Sequence, residues 1–307
     1  MMAATCIAGV LFDTEGLRGA LSLDESMAKH TSWRVGGPAQ FFYVPADRQD
    51  VVELIRRVPK EMPVVWVGLG SNLLVRDAGI EGLVVKTSKA LSKLELRNEN
   101  QLYAEAGVSC AKIARTAAAH DLTGAEFLAG VPGSFGGALA MNAGAFGGDT
   151  WSLVQSIDCV DRDGCCHELR RDQINYSYRQ VSLPEGYSLL AGVLHLSCSK
   201  SEGDGKARIK SLLDKRSASQ PIQTANAGSV FKNPEGYFAA KIIEQLGLKG
   251  HAIGGARFSE VHANFIVNDG SASAEDIENL IDLARDQALT CIGVNLEPEV
   301  RILGARL

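Results

Sequence analysis

Between Gly130 and Gly148 the chain reads GVPGSFGGALAMNAGAFGG, with seven glycines in nineteen residues and almost no charge. Glycine weakens helices and strands, so this density needs a geometric reason. One reason is turns with positive φ; another is a close approach of backbone to ligand. A phosphate cradled by bare N–H groups calls for both. The same residues also suit a buried glycine-rich turn packed on a sheet.

A second glycine turn narrows the choice. GLGSN, at 68–72, follows the apolar PVVWV as a dinucleotide-binding turn would, but Leu73 stands where the third glycine of G-x-G-x-x-G belongs. The next strand, GLVVKT, ends in Lys86 and Thr87 and not in an acidic ribose ligand, which disfavours a Rossmann fold. In the longer motif, PGSFGG (132–137), the residues after Pro132, with Gly133, Gly136 and Gly137 among them, offer consecutive N–H groups without bulky side chains. Ser134 adds a hydroxyl, and Asn142 adds a donor and an acceptor. The two motifs together favour one diphosphate ligand gripped from two sides, a dinucleotide such as FAD. Arg34, before the Gly-Gly-Pro turn of TSWRVGGPA, suits a phosphate or a flavin carbonyl; alone it reads equally as a surface arginine. On this reading Gly136→Val removes flavin more than it disturbs the fold.

The 307 residues fit two domains or three small ones, and 46% hydrophobic with 22% charged residues is the balance of a globular protein. A net charge of −5 argues against broad binding to nucleic acid or anionic membranes. No apolar run approaches the roughly 20 residues that span a bilayer. The opening MMAATCIAGVLFDTEG lacks a basic region, so no signal peptide is expected. The seven cysteines are odd in number, irregularly spaced and without CxxC, which points to reduced thiols and the cytoplasm. The histidines form no HExxH or HxxxH pattern, so no metal is expected.

Along the chain, QFFYVPA (40–46) reads as a strand and DVVELIRRV (50–58) as a helix with Val51, Leu54, Ile55 and Val58 on one face. PVVWVGLGSNLLV and GLVVKT are further strands, as is QLYAEAG. Ser109 caps the helix CAKIARTAAAHDL. SIDCVDRDGCCHEL predicts a hairpin around Asp163-Gly164, and YSLLAGVLHLSCS a long strand. SEGDGK (201–206) is the expected linker. Helices follow at 206–216 and 238–250, the latter with Gly247 as its C′ residue. HANFIVN predicts a strand, Ser273 and Asp276 a capping box opening a helix to about Leu289, and VNLEPEVRIL a closing strand that returns to the first part of the chain.

TSWRVGGPA, GLGSNLLV, FLAGVPGSFGGALAMNAGAFG, INYSYR, AGSVFKNP, HANFIVN and LEPEVRILG occur in this order. Together these seven motifs resemble the UDP-N-acetylenolpyruvoylglucosamine reductase (MurB) family, from about His30 to Gly304; HANFIVN resembles its shorter, type II branch. The first 20 residues lie outside the resemblance. It implies an α+β protein: a vanillyl-alcohol-oxidase/PCMH-type FAD-binding domain in two lobes plus a smaller α+β substrate-binding domain. The lobes would be 1–86, joined by the C-terminal strand 297–307, and 87–203; the substrate domain would be 204–296. The implied cofactor is non-covalent FAD, held by Arg34, Gly68, Gly70, Ser71, Asn72, Leu73, Pro132, Gly133, Ser134, Gly136, Gly137, Asn142 and Gly144. NADPH is the implied hydride donor, and UDP-N-acetylglucosamine enolpyruvate the substrate that becomes UDP-N-acetylmuramate. A cytoplasmic monomer is expected, with no nucleic-acid or membrane partner.

The implied reaction sends hydride to the terminal enolpyruvyl carbon and leaves enolate charge on the adjacent carbon and its carboxylate. Arg179, in NYSYRQ, matches the arginine that forks onto that carboxylate. Glu299, in EPEVR, matches the glutamate that hydrogen-bonds the enolate oxygen. Ser229, in AGSVFKNP, matches the proton donor, workable because an enolate carbon is strongly basic. Lys232, Asn233, Arg216 and Gln220 are the implied substrate contacts; Tyr176 and Tyr178 suit substrate stacking or plain packing. Two rivals remain. One is a flavin oxidase or dehydrogenase of the same fold acting on a small hydroxy compound. The other is a non-catalytic nucleotide-sugar-binding protein, which would purify colourless.

Overall fold

A computed structural model describes residues 6–7, 10–11, 13–199 and 203–306. The chain packs as two units. The first comprises residues up to Leu23, Phe41–Gly68 and Gly82–Leu212; the second comprises Asp24–Gln40, Leu69–Glu81 and the chain from Leu213 on.

In the first unit, α1 (Arg48–Arg57) starts where the Asp47 carboxylate accepts the Asp50 N–H, and the chain leaves helix at Val58, ahead of Pro59. Its Leu54 packs with Phe41, Tyr43, Leu83 and Val85, while Val51, Val52 and Ile55 pack with Leu91, Ala106, Val160 and Leu190. Strand Val64–Val67 runs parallel to Leu83–Lys86, with Val67 opposite Lys86. A five-stranded antiparallel sheet follows the order Cys166–Arg170, Val154–Val160, Ser188–His195, Gln101–Glu105, Leu94–Asn98. The hairpin around Asp163-Gly164 is present: the Asp161 carboxylate accepts the N–H groups of Asp163 and Cys165, and Gly164 takes φ +74°. Ser109 caps α2 (Cys110–Ala119), accepting the Lys112 N–H, and Ser134 caps α3 (Phe135–Met141).

The second unit is built on a core that includes Trp33, Leu74, Phe231, Phe258, Ile277 and Leu280, all essentially inaccessible to water. Side chains of this size stabilise by about 1.5–3 kcal/mol each when fully buried. The Trp33 indole N–H donates to the Ile266 carbonyl at 2.7 Å, and Asn268 Nδ2 donates to the Trp33 carbonyl at 2.8 Å. These long-range contacts, with Leu74, make TSWRVGG and SNLLV part of the C-terminal core, although they lie early in the sequence. α5 (Ala239–Gln245) ends with Gly247 at φ +69°. α6 (Ala274–Gln287) opens with the Ser273–Asp276 capping box, and the Asp77 carboxylate accepts the N–H groups of Ala274 and Glu275.

Several expectations need correction. Asp204–Lys206, expected in the linker, are the first residues of α4 (Asp204–Ser219); Ser201 and Glu202 lie outside the described residues. The long strand after Tyr187 stops at His195, and Ser197–Cys198 pairs separately with Leu122–Thr123. Only Ile266–Asn268 of HANFIVN is strand, because the Phe265 N–H turns back to the His262 carbonyl and the Ser259 hydroxyl accepts the Val261 and His262 N–H groups. Only Arg301–Leu303 of VNLEPEVRIL is strand; Pro298 lacks the N–H that a continuous ladder needs. That strand pairs in parallel with Leu73–Val75. The last helix gives way after Gln287 to a wider turn over Ala288–Ile292, closed by Gly293 in the left-handed region. Cys110, Cys159, Cys165, Cys166, Cys198 and Cys291 are free thiols; burial pushes those of Cys110 and Cys159 up to about 12. Among the described residues no helix is long and apolar enough to cross a membrane.

Candidate functional site

In the first unit Gly68, the first residue of GLGSN, lies against Ser134 of the longer glycine motif. Gly68 leaves strand Val64–Val67, and a Cβ there would overlap the Ser134 hydroxyl and stand 2.8 Å from the Ser134 Cβ. Residues 133–136 run along 106–110: Cys110 N–H donates to Gly133 O at 3.0 Å, Phe135 N–H to Val108 O at 2.7 Å, and Gly136 N–H to Ala106 O at 2.8 Å. A Cβ on Gly136 would come within 2.8 Å of the Ala106 Cβ. Gly136 is therefore a packing requirement of α3, and Gly136→Val must disturb the fold itself, contrary to the expectation from sequence. Pro132 and Gly137 are exposed, and Gly137 is open on its outer side.

Asn142 ends α3 in the left-handed region, φ 46°. Its amide is engaged on both atoms: Nδ2 donates to Ser177 O at 3.0 Å, and Oδ1 accepts the Trp151 N–H at 3.0 Å. These bonds hold the hairpin Asn175–Ser177/Gln180–Ser182, whose tip is Tyr178-Arg179. Arg179 also adopts positive φ, 56°. Its guanidinium donates to Asn142 O at 3.3 Å and Gly144 O at 2.9 Å, and it lies 5.1 Å from the ring centre of Tyr178. A Cβ on Gly144 would overlap the Gly148 carbonyl and stand 3.2 Å from Arg179 Nη1. The second half of the glycine-rich stretch is therefore a platform for Arg179. Tyr176 stacks on Trp151 with ring centres 5.4 Å apart, and Tyr178 is exposed. Gly144, Phe146, Tyr176, Tyr178 and Arg179 line an open cleft of about 500 Å³.

In the second unit, Arg34 is exposed on a turn of positive φ, 60°, between the buried Trp33 and Val35. The turn is fixed by the Thr31 hydroxyl, which donates to Val35 O at 2.8 Å. Gly70 is packed on His30, where a Cβ would overlap the carbonyl oxygen. The N–H groups of Leu69, Gly70 and Ser71 donate to no backbone carbonyl among the described residues. Such N–H groups on a tight turn fit an anionic oxygen, and the glycines exclude side chains from the turn; these residues fit a dinucleotide cofactor. Leu73 lies in strand Leu73–Val75 opposite Arg301.

Of the residues expected to act on substrate, Ser229 and Glu299 lie on segments joined at Val230 in this unit, whereas Arg179 belongs to the first unit. Glu299 N–H donates to Val230 O at 2.7 Å, and Lys232 N–H to Glu297 O at 2.9 Å, so the segments carrying Ser229 and Glu299 lie side by side. On the other side Asn264, a buried residue that sequence reasoning missed, takes the Phe231 N–H on Oδ1 at 3.0 Å and donates from Nδ2 to Phe231 O at 2.8 Å. Its signal was a lone amide inside the apolar run of HANFIV. Ser229 and Glu299 are half-buried. The Lys232 ammonium pairs with Glu297, and Asn233 Oδ1 accepts the Ala239 N–H at 3.1 Å, which gives Asn233 a role at the start of α5. Arg216 Nε donates to Gln220 Oε1 at 3.0 Å at the end of α4, and burial pushes the Arg216 guanidinium below its usual range.

The chain is similar to known proteins over nearly its whole length. A family model described as "UDP-N-acetylenolpyruvoylglucosamine reductase, C-terminal domain" matches residues 220–303, and one described as "FAD binding domain" matches residues 39–170. The UDP-N-acetylenolpyruvoylglucosamine reductase of Methylococcus capsulatus is 52% identical over 290 residues, covering 94% of both chains. That of Nitrosococcus oceani is 50% identical over 289 residues, covering 94% of this chain and 96% of its own. The crystal structure of UDP-N-acetylenolpyruvylglucosamine reductase (MurB) from Thermus caldophilus superposes with a TM-score of 0.80 at 29% identity, covering 94% of this chain and 99% of that one.

Proposed function

The chain belongs to the UDP-N-acetylenolpyruvoylglucosamine reductase family, and from that premise we propose that it reduces the enolpyruvyl ether of UDP-N-acetylglucosamine enolpyruvate to the lactyl ether of UDP-N-acetylmuramate at the expense of NADPH. It is an FAD-containing oxidoreductase of peptidoglycan precursor synthesis. The observation that carries the reading is the convergence at Val230, where one backbone carbonyl ties the segment of Ser229 to that of Glu299.

FAD held by the residues below would supply the hydride-transfer chemistry between NADPH and the terminal enolpyruvyl carbon. Gly68, Gly70, Ser71, Asn72 and Leu73, together with Pro132, Gly133, Ser134, Gly136, Gly137, Asn142 and Gly144, form the turns that hold the cofactor, with Arg34 as a cationic contact. Within these, Gly136, Asn142 and Gly144 serve through packing and through the placing of Arg179. Arg179 pairs with the substrate carboxylate and holds the charge that develops there. Glu299, when protonated, donates a hydrogen bond to the enolate oxygen. Ser229 delivers its proton to the carbon next to the carboxylate and recovers one through water or a neighbour. Lys232, Asn233, Arg216 and Gln220 line the nucleotide-sugar side. Residues 1–86 with 297–307, and 87–203, are the proposed cofactor lobes, and 204–296 the proposed substrate domain. The enzyme would act as a cytoplasmic monomer.

Ser229→Ala tests the assignment. NADPH should still reduce the flavin at the wild-type rate, while reoxidation by the enolpyruvyl substrate falls steeply. Two normal half-reactions would remove Ser229 from the chemistry.

A further inference from the structure

Asn72 is the last residue of GLGSN, yet both its backbone and its side chain bond the segment of Glu299. Its backbone carbonyl accepts the Arg301 N–H at 3.0 Å, and its side-chain Nδ2 donates to the Glu299 backbone carbonyl at 3.0 Å. One residue grips the chain on both sides of Val300. Beyond it the parallel ladder runs Leu73 to Arg301, Leu74 to Ile302 and Val75 to Leu303. Arg76 closes the far end: its N–H donates to Leu303 O at 2.9 Å, and its side chain reaches Gly304 O while Glu278 holds it at 2.8 Å through Nε and Nη2.

Glu299 itself lies ahead of the strand, directly after Pro298, so the ladder does not reach it. Its N–H is held by Val230 O, and its carbonyl is held by Asn72. With the peptide units on both sides of its Cα anchored, φ and ψ of Glu299 are restrained, and the direction in which its side chain leaves the backbone is set with them. The residue at 72 must supply a side-chain donor on a short, stiff arm. Aspartate has no donor, and alanine has no polar group. We propose that Asn72 is a positioning residue for Glu299, a side-chain clasp through which the GLGSN turn sets the placement of the carboxyl. The proposal rests on the reading of Glu299 as the residue that bonds the enolate.

The test uses Asn72→Ala and Asn72→Asp in the full chain, with hydrogen exchange of the amides of residues 299–301 as a readout independent of turnover. Losing one such bond should speed exchange about five- to tenfold. Anaerobic oxidation of the reduced flavin by the enolpyruvyl substrate, expressed per bound flavin, should fall on the order of 10²-fold, as for a misplaced catalytic group. If Asn72→Ala does not accumulate folded, Asn72→Asp and Asn72→Ser, a shorter donor, give the same readouts. Unchanged exchange, or oxidation by the enolpyruvyl substrate at the wild-type rate, would overturn the clasp and leave Asn72 as a cofactor residue only. Glu299→Gln separates the two readings. Wild-type oxidation in that variant would overturn the role of Glu299 and the proposal with it, whereas its loss alongside a normal Asn72→Ala would overturn the proposal alone.

Discussion

Gly68→Ala is the sharpest probe of how the first unit joins its two glycine turns. Gly68 does not adopt positive φ, so alanine is acceptable to the backbone and the cost comes from space alone. The new methyl would overlap the Ser134 hydroxyl and lie 2.8 Å from the Ser134 Cβ. Ser134 is 2% exposed and caps α3, so its hydroxyl cannot turn to solvent without leaving Gly137 uncapped. Overpacking of this kind costs about 1–3 kcal/mol, and a lost cap about 1 kcal/mol more, for a total of about 2–4 kcal/mol. Ser134→Gly removes both clashing atoms and, as a cap change to glycine, should cost only a few tenths of a kcal/mol. In that background Gly68→Ala should cost less than about 0.5 kcal/mol, giving a coupling of about 2 kcal/mol or more. Urea unfolding of the four proteins, with and without added FAD, measures it. A Gly68→Ala penalty that is absent, or equal in both backgrounds, would refute the close approach.

Three further outcomes are expected. Gly144→Ala should push Arg179 off the Asn142 and Gly144 carbonyls and lower kcat/KM for the enolpyruvyl substrate by about 10²-fold, with flavin reduction by NADPH little changed in stopped flow. Glu278, held by Arg76 and Arg306, has its carboxyl lowered from 4.5 to about 2. The folded state then resists protonation where the unfolded chain accepts it, so about 3 kcal/mol of stability present at neutral pH is lost as pH falls from 4.5 to about 2. The stability difference between wild type and Glu278→Gln, followed by denaturation against pH, should shrink across that window; a constant difference would contradict the coupling. Burial, with Lys89 nearby, lowers the Lys86 ammonium to about 8. Its charge opposes folding fully below about pH 8, and the penalty fades as pH rises towards 10.5. Lys86→Met should therefore raise stability at pH 7 by no more than about 1–2 kcal/mol after solvent screening, with the gain vanishing at high pH.

Local chemistry was legible in the sequence because its partners lie a few residues away. The Ser109 cap, the Ser273–Asp276 box and the Asp163-Gly164 turn each follow from side chains that bond their own neighbourhood. What was not legible depends on distant partners. HANFIVN carries the composition of a strand, but the Ser259 hydroxyl and the His262 carbonyl bend its first half into a turn. Nothing within TSWRVGGPA points to a distant partner, yet the Trp33 indole is committed to Ile266. From sequence the glycine stretch suits either a ligand cradle or a packed turn. Its residues divide instead between packing at Gly136 and support of Arg179 at Asn142 and Gly144, a distinction that only the position of the Tyr178-Arg179 hairpin makes visible. Asn72 is the same case: a residue of the cofactor motif whose side chain reaches across the sequence to Glu299.

The central claim is that this chain carries electrons from NADPH to an enolpyruvyl nucleotide sugar, and the anaerobic visible spectrum of the purified protein tests it most directly. The purified protein should be yellow, bleach on addition of NADPH and recover its colour when UDP-N-acetylglucosamine enolpyruvate is added. A yellow protein that bleaches but stays bleached with that substrate would place the chemistry elsewhere among flavin enzymes. A protein that remains colourless after incubation with FAD would contradict the account at its base.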